Sequence, residues 1–386
     1  MEFKEPIDFV KYVSNKFGTR VSGSKGEYQA GEFIYDEIKK FADKVEKEYY
    51  VSSPAAFLDF IWFTAGLYIL GSIFYFYRFF LLSFIFILIG ILIYIFQQNF
   101  LLEVVDIFFP KVQEFHILGK IFPKKDAKNL VILSAHYDSA YEFPLLGKYR
   151  KKGILFLNFT VIVAVLSLLL SAIRLFLNYF IIDYLEYFLL PLGSILILIT
   201  ALTLRSKDGV IGANDDLAAV ASIIWAGKKI SENRPENTEV WILAVAGEEH
   251  MRGTKRFVKN HEKELKDRHA LVFNLETPSG DYFLITTGES MFMSKFSEKC
   301  VQILKESAQN AGAEYKVAKL SFVGSDSSNF SKKGIDASTV FGLSNKDNLP
   351  YPWHTKDDIP EKLKPEMIEK SLQILLNAVN IVDKKI

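Results

Sequence analysis

The sequence contains a single cysteine, Cys300, in 386 residues, so no disulfide can form within one chain. This favours a reducing compartment or a protein that does not use disulfides. An excess of either charge is also lacking, because the net charge is +1, and nucleic acid is therefore not indicated as a partner. The first residues, Met1-Glu-Phe-Lys-Glu-Pro6, include no apolar segment, which argues against export through a cleaved signal peptide.

Long apolar runs, in contrast, are abundant. Four stretches of at least 18 residues carry no charged side chain, at positions 60–77, 79–96, 153–173 and 187–204. Such runs predict helices that cross a lipid bilayer, because about 20 apolar residues span its hydrocarbon core. Buried core helices are the alternative, although soluble cores rarely sustain such runs. The first two runs meet at Arg78, and one helix through both would be far longer than a bilayer is thick, so a hairpin is expected.

The remaining sequence alternates between predicted strands and helices. Strands are expected at 45–51, 114–121, 130–135, 240–246 and 270–275, and helices at 7–17, 28–41, 217–228, 254–266 and 294–311. This alternation predicts an α/β fold with a mostly parallel mixed sheet flanked by helices, in addition to four transmembrane helices. The predicted main domain is discontinuous and comprises residues 1–54, 98–150 and 205–386. Transmembrane hairpins at 55–97 and 151–204 interrupt it.

An even number of spans places the three soluble segments on the same side of the membrane. Basic residues flank the spans on that side: Lys111, Lys148, Arg150, Lys151, Lys152, Arg205 and Lys207. The short loops on the opposite side contain only Arg78 and Arg174, with Asp183 and Glu186 beside the second. The positive-inside rule therefore predicts an integral membrane protein whose soluble domain faces the cytoplasm.

The segment Val240-Trp-Ile-Leu-Ala-Val-Ala-Gly-Glu-Glu-His-Met251 ends in two adjacent carboxylates, Glu248 and Glu249. Its apolar part has no polar alternation, which predicts a strand buried on both faces. Two like charges repel at the end of such a strand, so a cation is expected between them, and a metal ion is the economical candidate. For an isolated Glu-Glu pair, a solvated loop is the alternative.

Other histidine and acidic side chains also stand where predicted strands and loops end. They are His136 and Asp138 after strand 130–135, Asp215 and Asp216 in a loop before a helix, Glu276 after strand 270–275, and His354 near the C-terminus. Singly, each has a simple structural explanation, such as a surface hydrogen bond or a helix N-cap. Together they occupy consecutive strand ends, where open α/β sheets build their binding sites.

These ordered motifs resemble peptidase family M28, the zinc aminopeptidases. The motifs are His136-Tyr-Asp138, Gly212-Ala-Asn-Asp215, Glu248-Glu249, Glu276 within Asn274-Leu-Glu-Thr277, and His354-Thr-Lys-Asp-Asp358. Gly18-Thr-Arg-Val-Ser-Gly-Ser24 and Gly324-Ser-Asp326 are further matches. The resemblance covers the whole predicted soluble part and implies the zinc aminopeptidase fold with a peptide substrate.

By this resemblance, His136, Asp215, Glu249, Glu276 and His354 would bind two divalent metal ions, expected to be zinc. Asp215 would bridge the ions, with His136 and Glu249 completing one site and Glu276 and His354 the other. Glu248 would act as the catalytic base that takes a proton from the metal-bridging water. Asp138 would orient His136, and Asp358 would support His354. The resemblance thus implies a membrane-embedded dinuclear zinc exopeptidase, an aminopeptidase that hydrolyses N-terminal residues from peptides.

Other functions stay open on this fold. Glu276 stands where the aminopeptidases usually have Asp, so the substrate class is less defined than metal binding. Glutaminyl cyclisation is one alternative, although cyclases typically use one zinc, and a carboxypeptidase or dipeptidase is another. A non-catalytic receptor is disfavoured because no ligand is missing, and a transporter because the four uncharged runs contain no ionisable residue. The remaining histidines, His116, His250, His261 and His269, are expected to be structural or solvated.

Overall fold

The computed structural model describes residues 3–385. Strands β1 to β9 are Lys44–Ser52, Val112–Ile121, Asn129–His136, Thr238–Val245, Leu271–Glu276, Tyr282–Glu289, Ser294–Lys295, Tyr315–Leu320 and Asp336–Leu343. Helices α1 to α12 are Pro6–Phe17, Lys25–Ile38, Ala56–Phe76, Phe80–Tyr94, Pro144–Tyr149, Lys151–Phe176, Phe180–Thr203, Ala218–Glu232, Gly253–Asp267, Glu298–Asn310, Ser327–Ser331 and Pro365–Lys385.

The chain divides into two compact units. The first unit consists of Met1–Pro54, Lys111–Glu142 and Lys207–Ile386, and it contains every strand from β1 to β9. The second unit consists of Ala55–Pro110 and Phe143–Ser206, and it contains helices α3 to α7. Each unit is therefore assembled from separated segments of the chain.

The strands of the first unit form one mixed sheet with a parallel centre. Within residues 3–385 its order is β1-β2-β4-β3-β5-β9-β6-β7, with β8 beside β6. Strands β4, β3, β5 and β9 are parallel neighbours, whereas β1, β2 and β7 pair antiparallel at the two edges. Together with the flanking helices, this arrangement confirms the predicted α/β class. Strands β6 to β9 and helices α5, α11 and α12 are absent from the sequence-based prediction, and β7 occupies the start of the helix predicted at 294–311.

Strand β4 is buried along its whole length, as its uninterrupted apolar sequence predicts. Because side chains alternate between the faces of a strand, Val240, Ile242 and Ala244 join one core cluster, which includes residues of α1, α2, α8, α10 and α12. Trp241 and Leu243 join a second cluster with Phe257 and other residues of α9. Helices therefore cover both faces of the sheet.

In the second unit, α3, α4 together with its extension to Asn99, α6 and α7 are long and apolar enough to cross a membrane, by length and composition. Their outer surfaces carry large exposed apolar side chains, including Leu81 at 58%, Leu169 at 53% and Phe188 at 67% exposure. The four predicted apolar helices are therefore present. Small residues bring α3 and α4 close together, since a Cβ on Gly71 would lie 2.7 Å from the Ile87 side chain.

The start of the last apolar helix differs from the sequence-based prediction. Helix α7 begins at Phe180, so Asp183 and Glu186 lie within it rather than in the preceding loop. Arg174 Nε donates to Asp183 Oδ1 at 2.8 Å, and Ser171 Oγ donates to Glu186 Oε1 at 2.9 Å. These contacts accommodate both carboxyl groups within the helix. The predicted start at position 187 is therefore wrong.

Candidate metal centre

The candidate ligands come together because parallel strands end at the same edge of the sheet. His136 is the last residue of β3 and pairs in register with Val245, the last residue of β4. Glu276 is the last residue of the neighbouring strand β5. Glu248 and Glu249 follow β4 after two intervening residues. Ligand sites of open α/β sheets form at such carboxyl ends.

Asp215 and His354 reach this edge from two loops. Asp215 lies in the loop that precedes α8, and His354 lies in the long connection between β9 and α12. Asp215 Oδ1 lies 3.2 Å from His136 Nε2, and its Oδ2 lies 3.0 Å from His354 Nε2. Asp215 therefore stands between the two imidazoles, with one carboxylate oxygen toward each.

The two imidazoles have different second carboxylates. His136 Nε2 lies 3.4 Å from Glu276 Oε2, and His354 Nε2 lies 3.2 Å from Glu249 Oε2. These distances favour a different pairing from the one that the resemblance implied, of His136 with Glu249 and of Glu276 with His354. His136 also forms a third cluster with Glu248 and Glu249, and the assignment of carboxylates to the two sites stays a prediction. The register explains the observed pairing, because Ser134 of β3 faces Asn274 of β5, and two residues further along His136 and Glu276 share a face of the sheet.

The assembled side chains fit divalent metal ions. Two clusters meet at Asp215, one with His136, Asp216 and Glu276 and the other with Glu249 and His354, and within each cluster the potential ligand atoms lie within 4.8 Å of one another. Glu249 Oε1 is buried and has no hydrogen-bond partner among residues 3–385. Imidazole nitrogens combined with carboxylate oxygens form a donor set that suits zinc.

Burial and neighbouring charges shift the pKa values of the clustered side chains in both directions. Burial, and then the charge of Glu276, raise the pKa of Glu248 well above its usual value. Burial disfavours the charged imidazole of His354, but Glu249 and Asp215 outweigh it and raise its pKa to about 10. Burial opposes the ionised form of Asp215, yet its contacts with His136 and His354 leave the pKa of that carboxyl lowered. Metal binding at His354 must therefore displace its proton.

Asp138 and Asp358 fix the backbone and side chains around the cluster. Asp138 Oδ1 lies 3.3 Å from His136 Nδ1, and the Asp138 carboxylate accepts hydrogen bonds from the backbone N–H groups of Glu248 and Glu249 at 3.3 and 3.2 Å. Asp358 accepts from the N–H of Asn214 at 2.6 Å and of Asp215 at 3.1 Å. Asp358 is thus placed to support the Asp215 loop, whereas the sequence suggested support of His354.

Arg20 is a buried residue near the centre that sequence reasoning did not single out. Its guanidinium donates from Nε to Tyr137 O at 2.7 Å, from Nη1 to Ile211 O at 2.6 Å, and from Nη2 to Gly212 O at 3.0 Å. One side chain therefore ties the loop after β3 to the loop that carries Asp215. Its position in the Gly18–Ser24 motif is the signal that could have identified it.

Asp216 is a second residue that the sequence left without a role. It is fully buried in the same group as His136, Asp215 and Glu276. Its Oδ1 accepts from the N–H of Thr277 at 3.0 Å, and its Oδ2 from the N–H of His136 at 3.4 Å. Both oxygens thus hold the backbone beside ligands. Its adjacency to Asp215 is the only sequence signal.

Two of the histidines that match no motif support the loop after β4. His116 accepts a hydrogen bond from the Ala246 N–H at 3.3 Å through Nδ1, and its Nε2 lies 3.1 Å from Gly253 O. His250 Nε2 lies 3.2 Å from Glu114 Oε1 beneath the same loop. Both imidazoles are buried, so each contributes to the conformation that presents Glu248.

Comparison with known proteins places this site in a family. The family model described as Peptidase family M28 matches residues 197–379, a range that includes Asp215, Glu248, Glu249, Glu276 and His354. The chain therefore carries a peptidase family M28 domain, and the resemblance drawn from its motifs is confirmed. The family match supports a metallopeptidase of the hydrolase class. No curated protein matched the sequence.

Solved structures share the fold at low sequence identity. A leucine aminopeptidase precursor from Bacteroides thetaiotaomicron VPI-5482 aligns with TM-score 0.59 and 13% identity over 97% of this chain and 95% of that chain. The zinc aminopeptidase BSAP from Bacillus subtilis aligns with TM-score 0.59 and 14% identity over 98% and 94%. A glutaminyl cyclase from Bacteroides thetaiotaomicron aligns with TM-score 0.59 and 12% identity over 97% and 96%. These similarities show a common fold.

Proposed function

We propose that the protein is a dinuclear zinc aminopeptidase that removes N-terminal residues from peptides. The observation that carries the proposal is the position of Asp215 between two imidazoles, each of which has its own further carboxylate. One metal ion would be held by His136, Asp215 and Glu276, and the other by His354, Asp215 and Glu249. This arrangement offers a complete ligand set on both sides of one shared carboxylate.

When bound, two divalent ions would polarise the scissile carbonyl and lower the pKa of the attacking water. Glu248 supplies the base: its carboxylate takes a proton from that water as the new C–O bond forms. It then gives the proton to the amine nitrogen as the C–N bond breaks. The Glu248 N–H donates a hydrogen bond to Asp138, and this contact holds the base in place. Burial of Glu248 limits the access of other water molecules to it.

Glutaminyl cyclisation is a second candidate because glutaminyl cyclases are among the solved structures with this fold. In that reaction the substrate's own amine attacks its glutamine side chain and ammonia leaves. The second group of ligands around His354 and Glu249 favours hydrolysis over cyclisation, because cyclisation needs no second site for an activated water.

Metal analysis combined with product analysis tests the proposal. The purified protein is assayed with a peptide that begins with Leu, a peptide that begins with Gln, and an N-acetylated peptide of the same sequence. An aminopeptidase releases the first residue from both free peptides and leaves the acetylated one intact. Cyclisation of the Gln peptide without release of Leu would replace the proposal with the cyclase, and shortening of the acetylated peptide would indicate a carboxypeptidase.

The same proposal includes an integral membrane location with a cytoplasmic peptidase domain built from residues 1–54, 98–150 and 205–386. It is supported by the exposed apolar surfaces of the four long helices and by the basic residues beside their predicted cytoplasmic ends. A fluorescent reporter fused to the C-terminus should mature only in the cytoplasm and therefore be bright. A dark fusion, with activity of an exported phosphatase reporter at the same position, would reverse the orientation.

A further inference from the structure

A line of polar side chains runs through the interior of the second unit. Its members, called here the polar seam, are Tyr68, Ser72 and Tyr75 on α3, Ser167, Ser171 and Arg174 on α6, and Asp183, Glu186 and Ser194 on α7. Within each helix, neighbouring members are mostly three or four positions apart, which is about one helical turn. The members on each helix therefore lie on one face of it. The surrounding helix surfaces are almost entirely apolar.

Hydrogen bonds connect seam residues on different helices, both near one end of the unit and deeper inside it. At the end nearest the α6–α7 connection, Asp183 Oδ1 accepts from Arg174 Nε and from the Tyr75 hydroxyl, both at 2.8 Å. Deeper in the unit, the Tyr68 hydroxyl donates to Ser167 Oγ at 2.8 Å. Hydrogen bonds between seam side chains therefore join the three helices at more than one depth.

Within residues 3–385, Glu186 is the member of the seam that has a buried polar atom without a hydrogen-bond partner. It is 0% exposed, and it lies six residues into α7, about 9 Å along the axis from Phe180 at ~1.5 Å per residue. Its Oε1 accepts a hydrogen bond from Ser171 Oγ at 2.9 Å, whereas its Oε2 has no hydrogen-bond partner among residues 3–385. The guanidinium of Arg174 is engaged with Asp183 instead.

A buried carboxylate without a cationic partner is strongly disfavoured in apolar surroundings. Ionisable groups within membrane-spanning helices are rare, and they mark ion and proton pathways when they face the interior of a bundle. Ser171 is a neutral donor, and the nearest charged side chain along α7, Asp183, is also acidic. A mobile cation is therefore the species that can complete this site.

We propose that Glu186 is an exchangeable binding site for one small monovalent cation, a proton or a sodium ion, inside the helical unit. The cation sits at Glu186 Oε2, where the Ser171 hydroxyl fixes the orientation of the carboxyl group. The seam provides the polar route by which it exchanges with water. This site presupposes the membrane-spanning unit proposed above but does not depend on peptidase activity. The helices then do more than anchor the domain.

Carbodiimide labelling of the full-length protein tests this site. N,N′-dicyclohexylcarbodiimide modifies carboxyl groups that carry a proton in apolar surroundings, and peptide mass spectrometry identifies the modified residue. We expect Glu186 to be modified, with the rate falling about tenfold per pH unit once the proton is lost. If sodium is a ligand, sodium but not choline at equal ionic strength slows labelling at constant pH. If only protons bind, the two salts have the same effect.

Asp183 is the matched control, because its pairing with Arg174 should keep it unmodified under the same conditions. Glu186→Gln should abolish the label and keep the melting temperature, and Ser171→Ala should change the pH or sodium dependence of labelling. The proposal is overturned if Glu186 resists modification at every pH until the protein is unfolded. It is also overturned if the rate depends on neither pH nor sodium.

Membrane extraction at alkaline pH is measured in parallel. Release of the protein into the soluble fraction would remove the membrane premise itself and with it the site. Peptide hydrolysis is followed in the same preparations, since retained hydrolysis without labelling would separate failure of this site from failure of the peptidase proposal.

Discussion

Glu248 and Glu249 are adjacent residues with different surroundings. Glu249 Oε2 lies 3.2 Å from His354 Nε2, whereas Glu248 Oε2 comes no closer than 3.9 Å to His136 Nε2. Both backbone N–H groups donate to Asp138, so one aspartate sets the position of the pair. Both side chains group with His136, with potential ligand atoms within 4.8 Å of one another, and the shorter of the two imidazole contacts is the one made by Glu249. The proposed roles, metal ligand for Glu249 and base for Glu248, follow this difference.

Arg20 should contribute strongly to stability, since its loss leaves several buried carbonyl oxygens without a donor. Arg20→Met is expected to lower the free energy of unfolding by ~3 kcal/mol or more, because each unsatisfied buried group costs about 1–3 kcal/mol. Arg20→Lys should have a free energy of unfolding between those of the wild type and Arg20→Met, since one ammonium cannot reproduce the guanidinium geometry. Thermal unfolding of the purified protein measures the effect.

Arg234 offers a matched control for Arg20. It pairs with Asp43 at 2.7 Å with both side chains partly exposed, and exposed ion pairs contribute about 0–1 kcal/mol. Arg234→Met should therefore lower the melting temperature only slightly. Equal losses in the two variants would show that Arg20 has no special structural role.

The metal-free protein should lose stability as pH rises above about 5. Burial raises the pKa of Asp358 to about 7 and of Glu289 to about 8, and His354 retains its proton to about 10. In this range the folded state binds more protons than the unfolded state, so the free energy of unfolding decreases with pH. Zinc should reverse the trend, because deprotonated ligands bind it more tightly.

This dependence of stability on pH and zinc is checked by measuring melting temperatures between pH about 5 and 8. Each measurement is made once with a chelator and once with zinc. The increase in melting temperature on adding zinc should grow with pH, and it should be smaller in His354→Asn. A metal-free protein that gained stability over the same range would contradict the assigned proton binding.

At the scale of elements, the loop after β4 is held by close backbone packing. Gly253 N–H donates to Gly247 O at 3.0 Å, and a Cβ on Gly253 would lie 1.8 Å from Ala246 O, a backbone atom that cannot move aside alone. Gly253→Ala should therefore displace Glu248 and lower kcat by about tenfold or more. Peptide hydrolysis kinetics measure this effect.

Gly66→Ala is the control for this substitution, because a Cβ there would meet no atom within 4 Å. Tyr50→Phe gives a milder test of the same loop, since it removes only the hydroxyl that donates to Ala246 O at 2.9 Å. It should lower kcat less than Gly253→Ala and keep the melting temperature nearly unchanged. Full activity in both loop variants would show that this packing does not position the base.

Strand ends were predictable from the sequence, whereas the partners of each side chain were not. The apolar run before Glu248 indicated a buried strand, and parallel neighbours end at one edge, so the ligands were expected to meet there. The pairing of His136 with Glu276 depends on the register between β3 and β5, which no local pattern encodes. Arg20 acts through hydrogen bonds to distant carbonyl groups, and such contacts leave no periodic signal.

The start of α7 shows a second limit of sequence patterns. A run free of charged residues marks where a helix is most apolar, but helix formation depends on backbone hydrogen bonds and continues through Asp183 and Glu186. Arg174 and Ser171 supply partners from the neighbouring helix. The uncharged run is therefore shorter than the helix at its N-terminal end, and it leaves out the buried carboxyl group of Glu186.

At the scale of the whole molecule, two units with different interiors are interleaved along one chain. The first concentrates carboxylates and imidazoles at one edge of a sheet, and the second is an apolar helical unit that contains the polar seam. Segments of each unit alternate in the sequence, so neither can be removed by truncating one end. The function of the first unit is therefore best tested by single substitutions in the full chain.

The central claim is that Glu249 binds metal while Glu248 moves a proton. It is tested most directly by measuring bound metal and peptide hydrolysis for the wild type, Glu248→Gln and Glu249→Gln. Glu248→Gln should keep two metal ions per chain and lose about 10²–10⁴-fold in turnover, whereas Glu249→Gln should bind one ion fewer. Retained turnover in Glu248→Gln, or loss of metal in Glu248→Gln and not in Glu249→Gln, would contradict this assignment.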